Sequence, residues 1–260
     1  MKKIISVLLV VFAIGGCEQE KTATIDKSLA GIKLKDLAPA KGTDPNRTPA
    51  ISYFTIYVFN VPASSVQSLA SIWQSKDTRP VVKSDPAAFA SGDFAAISGE
   101  GQQWNAIAAK LNEVGGQRGR AFSLILPQSK GHFLALSNID RDVPVFFPDQ
   151  DGKANGVTLG QGSIGFYIRA NAKAGPKGMC DFSLTPAFES DQPKASAFRE
   201  PQEAQRIGFN QLGISMRMSA EGFILLGPRY IPQPMSAAQL YFEQDAELQL
   251  YLIVCTRVVD

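Results

Sequence analysis

The sequence predicts an α+β fold, mainly β: a single domain of mostly antiparallel strands with two amphipathic helices in its first half. Three observations carry that expectation. From residue 119 to the C-terminus, short apolar runs recur between Gly, Pro, Asn and Asp, as strands separated by turns do. Before residue 119, two stretches repeat their apolar residues at helical spacing. Residues 163–170 alternate strictly, with Ile164, Phe166 and Ile168 on one face and Gly165, Tyr167 and Arg169 on the other, as a half-buried sheet surface requires.

In chain order, the first element is not part of the domain. Lys2 and Lys3 precede an apolar run, 4–14, that closes on Gly15-Gly16-Cys17. A basic start, a short apolar core and small residues before a cleavage point describe a secretory signal, too short to span a bilayer. Its end resembles the lipobox of bacterial lipoproteins. That resemblance implies cleavage after residue 16 and a lipidated N-terminal Cys17, with palmitate-type chains as a lasting membrane anchor. Glu18, where the enteric sorting pattern would place Asp for retention, implies the outer membrane facing the periplasm, with the inner membrane and the cell surface as alternatives. Residues 17–50 are polar, Lys-bearing and Pro-bearing and read as a flexible tether. About thirty such residues span roughly 30 Å. A weak apolar beat at Leu29, Ile32 and Leu37 interrupts it.

Residues 51–260 read as the globular domain. Residues 51–60 (ISYFTIYVFN) are β-branched and aromatic and predict a strand. Pro62 suits a first helical turn, and Val66, Leu69, Ile72 and Trp73 follow at helical spacing. Residues 93–98 predict a short strand. Trp104, Ile107, Ala108, Leu111 and Val114 mark the second helix, closed by Gly115-Gly116. Residues 121–126, 133–137 and 143–147 are short strands, and 148–152 is turn chemistry. Strands are expected at 163–170, 180–188, 206–218, 222–226 and 247–258, with a polar loop over 189–204.

Charge and cysteine usage bound the function. The chain has 26 basic and 24 acidic residues. Loss of Lys2 and Lys3 with the signal leaves 24 of each, so no basic stripe points to nucleic acid. With Cys17 committed to lipid, Cys180 and Cys255 remain, an even pair in an oxidising compartment. One reading is a disulfide between their strands, worth about 4 kcal/mol for so long a loop; the other is two buried thiols on strands that never meet. Metal binding is not expected, since His132 is the single histidine and neither cysteine has a partner at ligand spacing. No cofactor is implied either.

Other motifs dissolve in their context. Gly160-Gln161-Gly162-Ser163-Ile164-Gly165 satisfies G-x-G-x-x-G, but it leads into a strand rather than a helix, so its glycines read as a bulge or tight bend. Asp149, Asp151 and Asn155 miss the spacing of a calcium loop because Lys153 occupies a ligand position. No G-x-S-x-G elbow is present, and His132 begins a strand, so no catalytic residue is assigned. Trp73 and Trp104 each sit on the apolar stripe of a helix and read as core.

The order of elements carries a further resemblance. Residues 106–111 on a helix, Leu124–Pro127 ending a strand, the glycine-led strand 162–170, the turn-bounded strand 222–227 and the final strand 247–254 occur in sequence. This resembles the C-terminal domain of bacterial secretins, the outer-membrane channels of secretion and type IV pilus systems. The resemblance covers most of residues 51–258 and implies a secretin-like fold. The family's repeated periplasmic ring domains have no counterpart, Cys255-Thr256-Arg257 stands where the family has Thr-Pro-Arg, and no pore residue carries over.

These readings combine into an expectation of binding rather than catalysis. The chain reads as a lipid-anchored envelope protein, a structural or accessory component of an envelope assembly related to secretion or pili. Its partners would be the membrane, through the lipid on Cys17, and an envelope protein or a second copy. Exposed strand edges, or the segment from Tyr230 to Tyr241, would recruit that partner. The alternative is a surface lipoprotein that binds or processes a glycan or small ligand, with Trp73, Trp104, Tyr167, Tyr230 and Tyr241 as stacking faces.

Overall fold

The first strand states the logic of the fold. β1 (Ile51–Pro62) alternates, and Phe54, Ile56 and Val58 are buried on one face while Tyr57 and Phe59 are half-buried on the other. The strand is therefore covered on both sides, by different partners. The computed structural model describes residues 50–75, 78–128, 130–148, 153–172, 178–191, 205–244 and 247–259.

After β1 a 3-10 segment (Ala63–Leu69) runs into helix α1 (Ala70–Trp73), then β2 (Val82–Lys83), α2 (Pro86–Ser91) and β3 (Phe94–Gly99). Helix α3 (Gly101–Glu113) is followed by β4 (Gln117–Pro127), β5 (Gly131–Ile139), β6 (Val143–Pro148), β7 (Ala154–Leu159), β8 (Gly162–Ala172) and β9 (Met179–Ser190). The last part holds β10 (Arg206–Gly208), β11 (Ile214–Ser219), β12 (Phe223–Pro228), α4 (Ala237–Phe242), β13 (Glu243–Gln244) and β14 (Glu247–Val259).

Two larger sheets result, every described strand pair in them antiparallel. Sheet A runs β3-β12-β14-β1-β4, with β13 beside β14. Sheet B runs β2-β11-β9-β8-β5, with β10 beside β9. β6 and β7 form a separate hairpin whose Phe146 bridges to Ser236, just before α4.

The two sheets pack face to face. Phe54, Ile56, Tyr251 and Ile253 of sheet A meet Phe166, Ile168, Phe182 and Leu184 of sheet B in one buried cluster. A second cluster lies on the other face of sheet A, where Phe223, Leu225, Leu250 and Leu252 meet Leu69 and Ile72 of the first helical segment and Ile107 and Leu111 of α3. The order of layers is the first helical segment with α3, then sheet A, then sheet B, while α2 and α4 bury Phe89, Tyr241 and Phe242 in the cluster shared with sheet B. Central strands of sheet A are thus covered on both faces, so β12 and β14 are continuous apolar runs rather than alternating ones.

Local chemistry explains the helix ends. The Glu100 amide donates to Gln103 Oε1 at 2.8 Å to open α3. At its other end Gly115 takes φ 78°, and the Gly116 amide returns to the Leu111 carbonyl at 2.8 Å. Asp85 caps α2 by accepting from the Ala88 amide at 2.9 Å, with Pro86 in the first turn.

The mainly β class with few helices is as the sequence predicts, and three local differences have clear causes. Residues 206–218 are not one strand: β10 and β11 flank a 3-10 turn, Asn210–Leu212. The chain dips there to bury Phe209, whose ring lies 5.1 Å from Phe147 and 6.2 Å from Tyr241. α2 and α4 are six residues each, too short for a helical period to show in sequence. β7 (ANGVTL) is largely exposed and lacks an apolar run, so only its pairing with β6 defines it.

Candidate functional site

The exposed apolar side chains of the domain are concentrated. Tyr230 (56% exposed), Ile231 (57%) and Met235 (48%) lie in the loop between β12 and α4, and Phe146 (46%) stands beside it on β6. The contact is direct, because the Phe146 amide donates to the Met235 carbonyl at 2.8 Å. Met235 and Phe146 thus adjoin, and Tyr230 and Ile231 precede Met235 by five and four residues on the same loop. Of the remaining two among the described residues, Val82 is next to Lys83, which shares a recess with Arg229 and Tyr230, and Ile125 is on β4, the far edge of sheet A. Met235 takes φ 61°, and the Gln239 side chain accepts from its amide at 2.8 Å, so the turn is held in shape. Arg229, over the Tyr230 ring at 5.2 Å, sets a cation at the margin.

A second surface lies on the helix-facing side of sheet A, where the helical layer stops short. Trp104 rests on Phe59 and Phe223, each 5.8 Å away, and beyond it the sheet is open. The opening is a groove of about 670 Å³ floored by Tyr57, Phe59, Phe223 and Val254, with Arg118 and Glu221 among its polar lining. The Arg118 guanidinium lies 4.5 Å over Tyr57. Arg118 belongs to β4, the edge of sheet A. Among the described residues no backbone group outside β1 bonds to residues 117–126, so that edge stands open over most of an eleven-residue strand. The neighbouring edge, β5, is partly occupied, since Arg120 Nη2 donates to the Leu136 carbonyl at 2.9 Å.

The residues named from sequence separate as follows. Cys17, Asp149 and Asp151 lie outside the described residues. Cys180 on β9 and Cys255 on β14 both sit in the core between the sheets. Their thiols are in hydrogen-bonding contact and are not joined. That contact, together with burial, pushes the Cys255 thiol well above its ordinary range. His132 is exposed at the start of β5, opposite Ile168. No group of three or more metal-ligating side chains occurs among the described residues.

Gly162 and Gly165 lie on β8 as expected of a strand. A Cβ at Gly165 would overlap the Leu134 carbonyl oxygen, where the β5–β8 register shifts between Ala135 and Ser137. The glycine-rich match is thus a close backbone approach at a bulge.

The five aromatics do not gather in one place. Tyr241 is buried, its ring stacked 5.5 Å from Phe166. Tyr167 faces outward on sheet B between Arg169 (4.9 Å) and Arg206 (4.3 Å). Trp73 and Trp104 pack on the helical core, as their spacing predicts, but Trp104 also forms a wall of the groove. Sequence reasoning missed Tyr57 and Phe59 as surface groups. Their alternation in β1 signals two faces, not which face is left uncovered.

No protein-family model matches the chain, and no curated protein does. Among solved structures it is similar to the secretin-domain β-barrel of InvG from the Salmonella SPI-1 injectisome, at 9% identity over 81% of this chain and 63% of that one, with a TM-score of 0.22. It is also similar to the V. cholerae type IV competence pilus secretin PilQ, at 12% identity over 81% of this chain and 59% of that one, with a TM-score of 0.22. The chain spans about three fifths of the length of each.

Proposed function

We propose that this protein is a lipid-anchored component of the bacterial cell envelope, held by Cys17, that serves an envelope assembly by binding a protein partner rather than by catalysis. One observation carries the reading: the exposed apolar side chains cluster on the Tyr230–Met235 loop and the adjoining Phe146. Apolar side chains in one patch mark an interaction surface, whereas scattered ones need no explanation. A tether of roughly 30 Å would let the patch reach a partner near the membrane. Secretion or pilus machinery is the assembly class that the order of elements suggests.

The test is photo-crosslinking in the native host, with the reactive side chain at Ile231 and, as a control, at the equally exposed Ile125 on the far edge of sheet A. A discrete adduct from Ile231, absent from Ile125 and lost in the Met235→Lys background, is the expected result. Adducts that are equal at both positions, or none at Ile231, would overturn the reading.

The groove favours a second reading, a glycan or small-ligand lipoprotein. Its floor of Tyr57, Phe59 and Phe223 beside Trp104 offers apolar ring faces next to charged groups, the usual make-up of a ligand site. Trp104 is its reporter. Titration with envelope oligosaccharides should change tryptophan fluorescence, and Tyr57→Ala should abolish the change; no saturable response removes this reading.

A further inference from the structure

We propose that Cys180 and Cys255 form a disulfide in the mature protein, a covalent staple that joins sheet B to sheet A across the core. The inference rests on the reading of the protein as exported, because a cytosolic chain would keep its thiols reduced.

The geometry reaches the pair from two directions. Cys255 lies opposite Phe54 in the β1–β14 register. Cys180 lies two residues from Phe182 on β9, on the same inward face. Phe54 and Phe182 close the distance between the sheets, with ring centroids 5.2 Å apart. The cysteines beside them therefore face each other, and their thiols are in contact. Each strand is anchored on both flanks: β9 pairs with β8 and β11, and β14 with β1 and β12. Neither side chain has to move out of its layer to meet the other.

The chemistry is thiol–disulfide exchange with an external disulfide, supplied by an oxidoreductase or a small disulfide of the compartment. One cysteine thiolate, having lost its proton, attacks that disulfide and expels one thiol. The second cysteine, also as thiolate, attacks the mixed disulfide and expels the other. Two protein thiols lose two protons and two electrons, and one external disulfide becomes two thiols. Both sulfurs are essentially inaccessible in the folded domain, at 1% and 0% exposure. Ionisation of the Cys255 thiol is opposed there as well. The bond must therefore form before the sheets close, and once formed it is shielded from reductant. This describes a structural staple rather than a redox switch.

Peptide mapping without reductant tests it on the full chain recovered from the envelope of its host. Cleavage after Lys177 and Arg229 releases residues 178–194 and 230–257 as separate peptides unless they are linked. The expected result is the linked pair, lighter by two hydrogens, with neither cysteine alkylated before reduction. Both peptides alkylated without reductant, or a linkage of either one to the Cys17 peptide, would overturn the proposal. A second arm assigns the cause. The same chain, reduced, unfolded and refolded with oxidised and reduced glutathione, forms the linked pair if the core geometry is right. Linkage there with thiols in the cellular sample would sink the exported reading while leaving the geometry standing. No linkage in either arm would sink the geometry itself.

Discussion

Tyr241 and Tyr251 show how a polar group is kept inside an apolar core. The Tyr241 hydroxyl donates to the Ala187 carbonyl at 2.8 Å. The Tyr251 hydroxyl lies 3.0 Å from the Tyr241 carbonyl and 2.8 Å from Gln249 Oε1. Burial pushes both phenols above the ordinary tyrosine range, and the nearby Tyr251 adds to the effect on Tyr241. A raised acid pKa in the folded state stabilises fully below the unfolded value of about 10 and is lost as pH rises through the folded value. Alkaline titration should therefore ionise these two tyrosines only as the domain unfolds, with the tyrosinate absorbance and the loss of secondary structure rising together. Ionisation of all six tyrosines in a domain that stays folded would contradict this. Tyr241→Phe leaves the Ala187 carbonyl without its donor and should cost about 1–2 kcal/mol in denaturant unfolding.

At the scale of the strand, β14 and β4 are opposites. β14 is paired on both sides and covered by both core clusters, with Leu250 and Leu252 toward the helices and Tyr251 and Ile253 toward sheet B. β4 is paired on one side, and most of its residues are exposed, including Ile125 at 59%. Amide hydrogen exchange should find the slowest amides in β14 and the fastest strand amides on the open edge of β4, separated by orders of magnitude. Equal exchange in the two strands would mean that the sandwich opens as a whole before its edge does. Both strands were legible in the sequence as apolar runs. That Leu124 and Leu126 are buried while Ile125 is exposed does not show in an unbroken apolar run, and nothing in the run of residues marks β4 as an edge. Edge or centre is decided by what lies beside a strand, and here the partner residues of β1 are 57 to 76 positions ahead on one side and about 200 on the other.

For the whole molecule, the sequence by itself determined the class and much of the parts. Periodicity placed β1, α3, β8, β9 and β14 because a strand repeats every two residues and a helix every 3.6. It also selected the inward face of β8, where Ile164, Phe166 and Ile168 are buried. The strand at 206–218 was misjudged because a buried Phe209 resembles a strand residue whether or not the backbone bends to bury it. The short helices were missed because six residues hold less than two turns of pattern. The candidate surfaces were least legible. Tyr230 was named from sequence, but Phe146 comes to that loop through one bridge to Ser236, 90 residues further along the chain. Trp104 was read as core and is also the wall of an open groove, because the helices cover only part of sheet A. Burial preference is a property of each side chain and its near neighbours, so sequence can state it. Strand order, the meeting of Cys180 with Cys255, and the stretch of sheet left uncovered depend on contacts between distant segments, which tertiary packing alone decides.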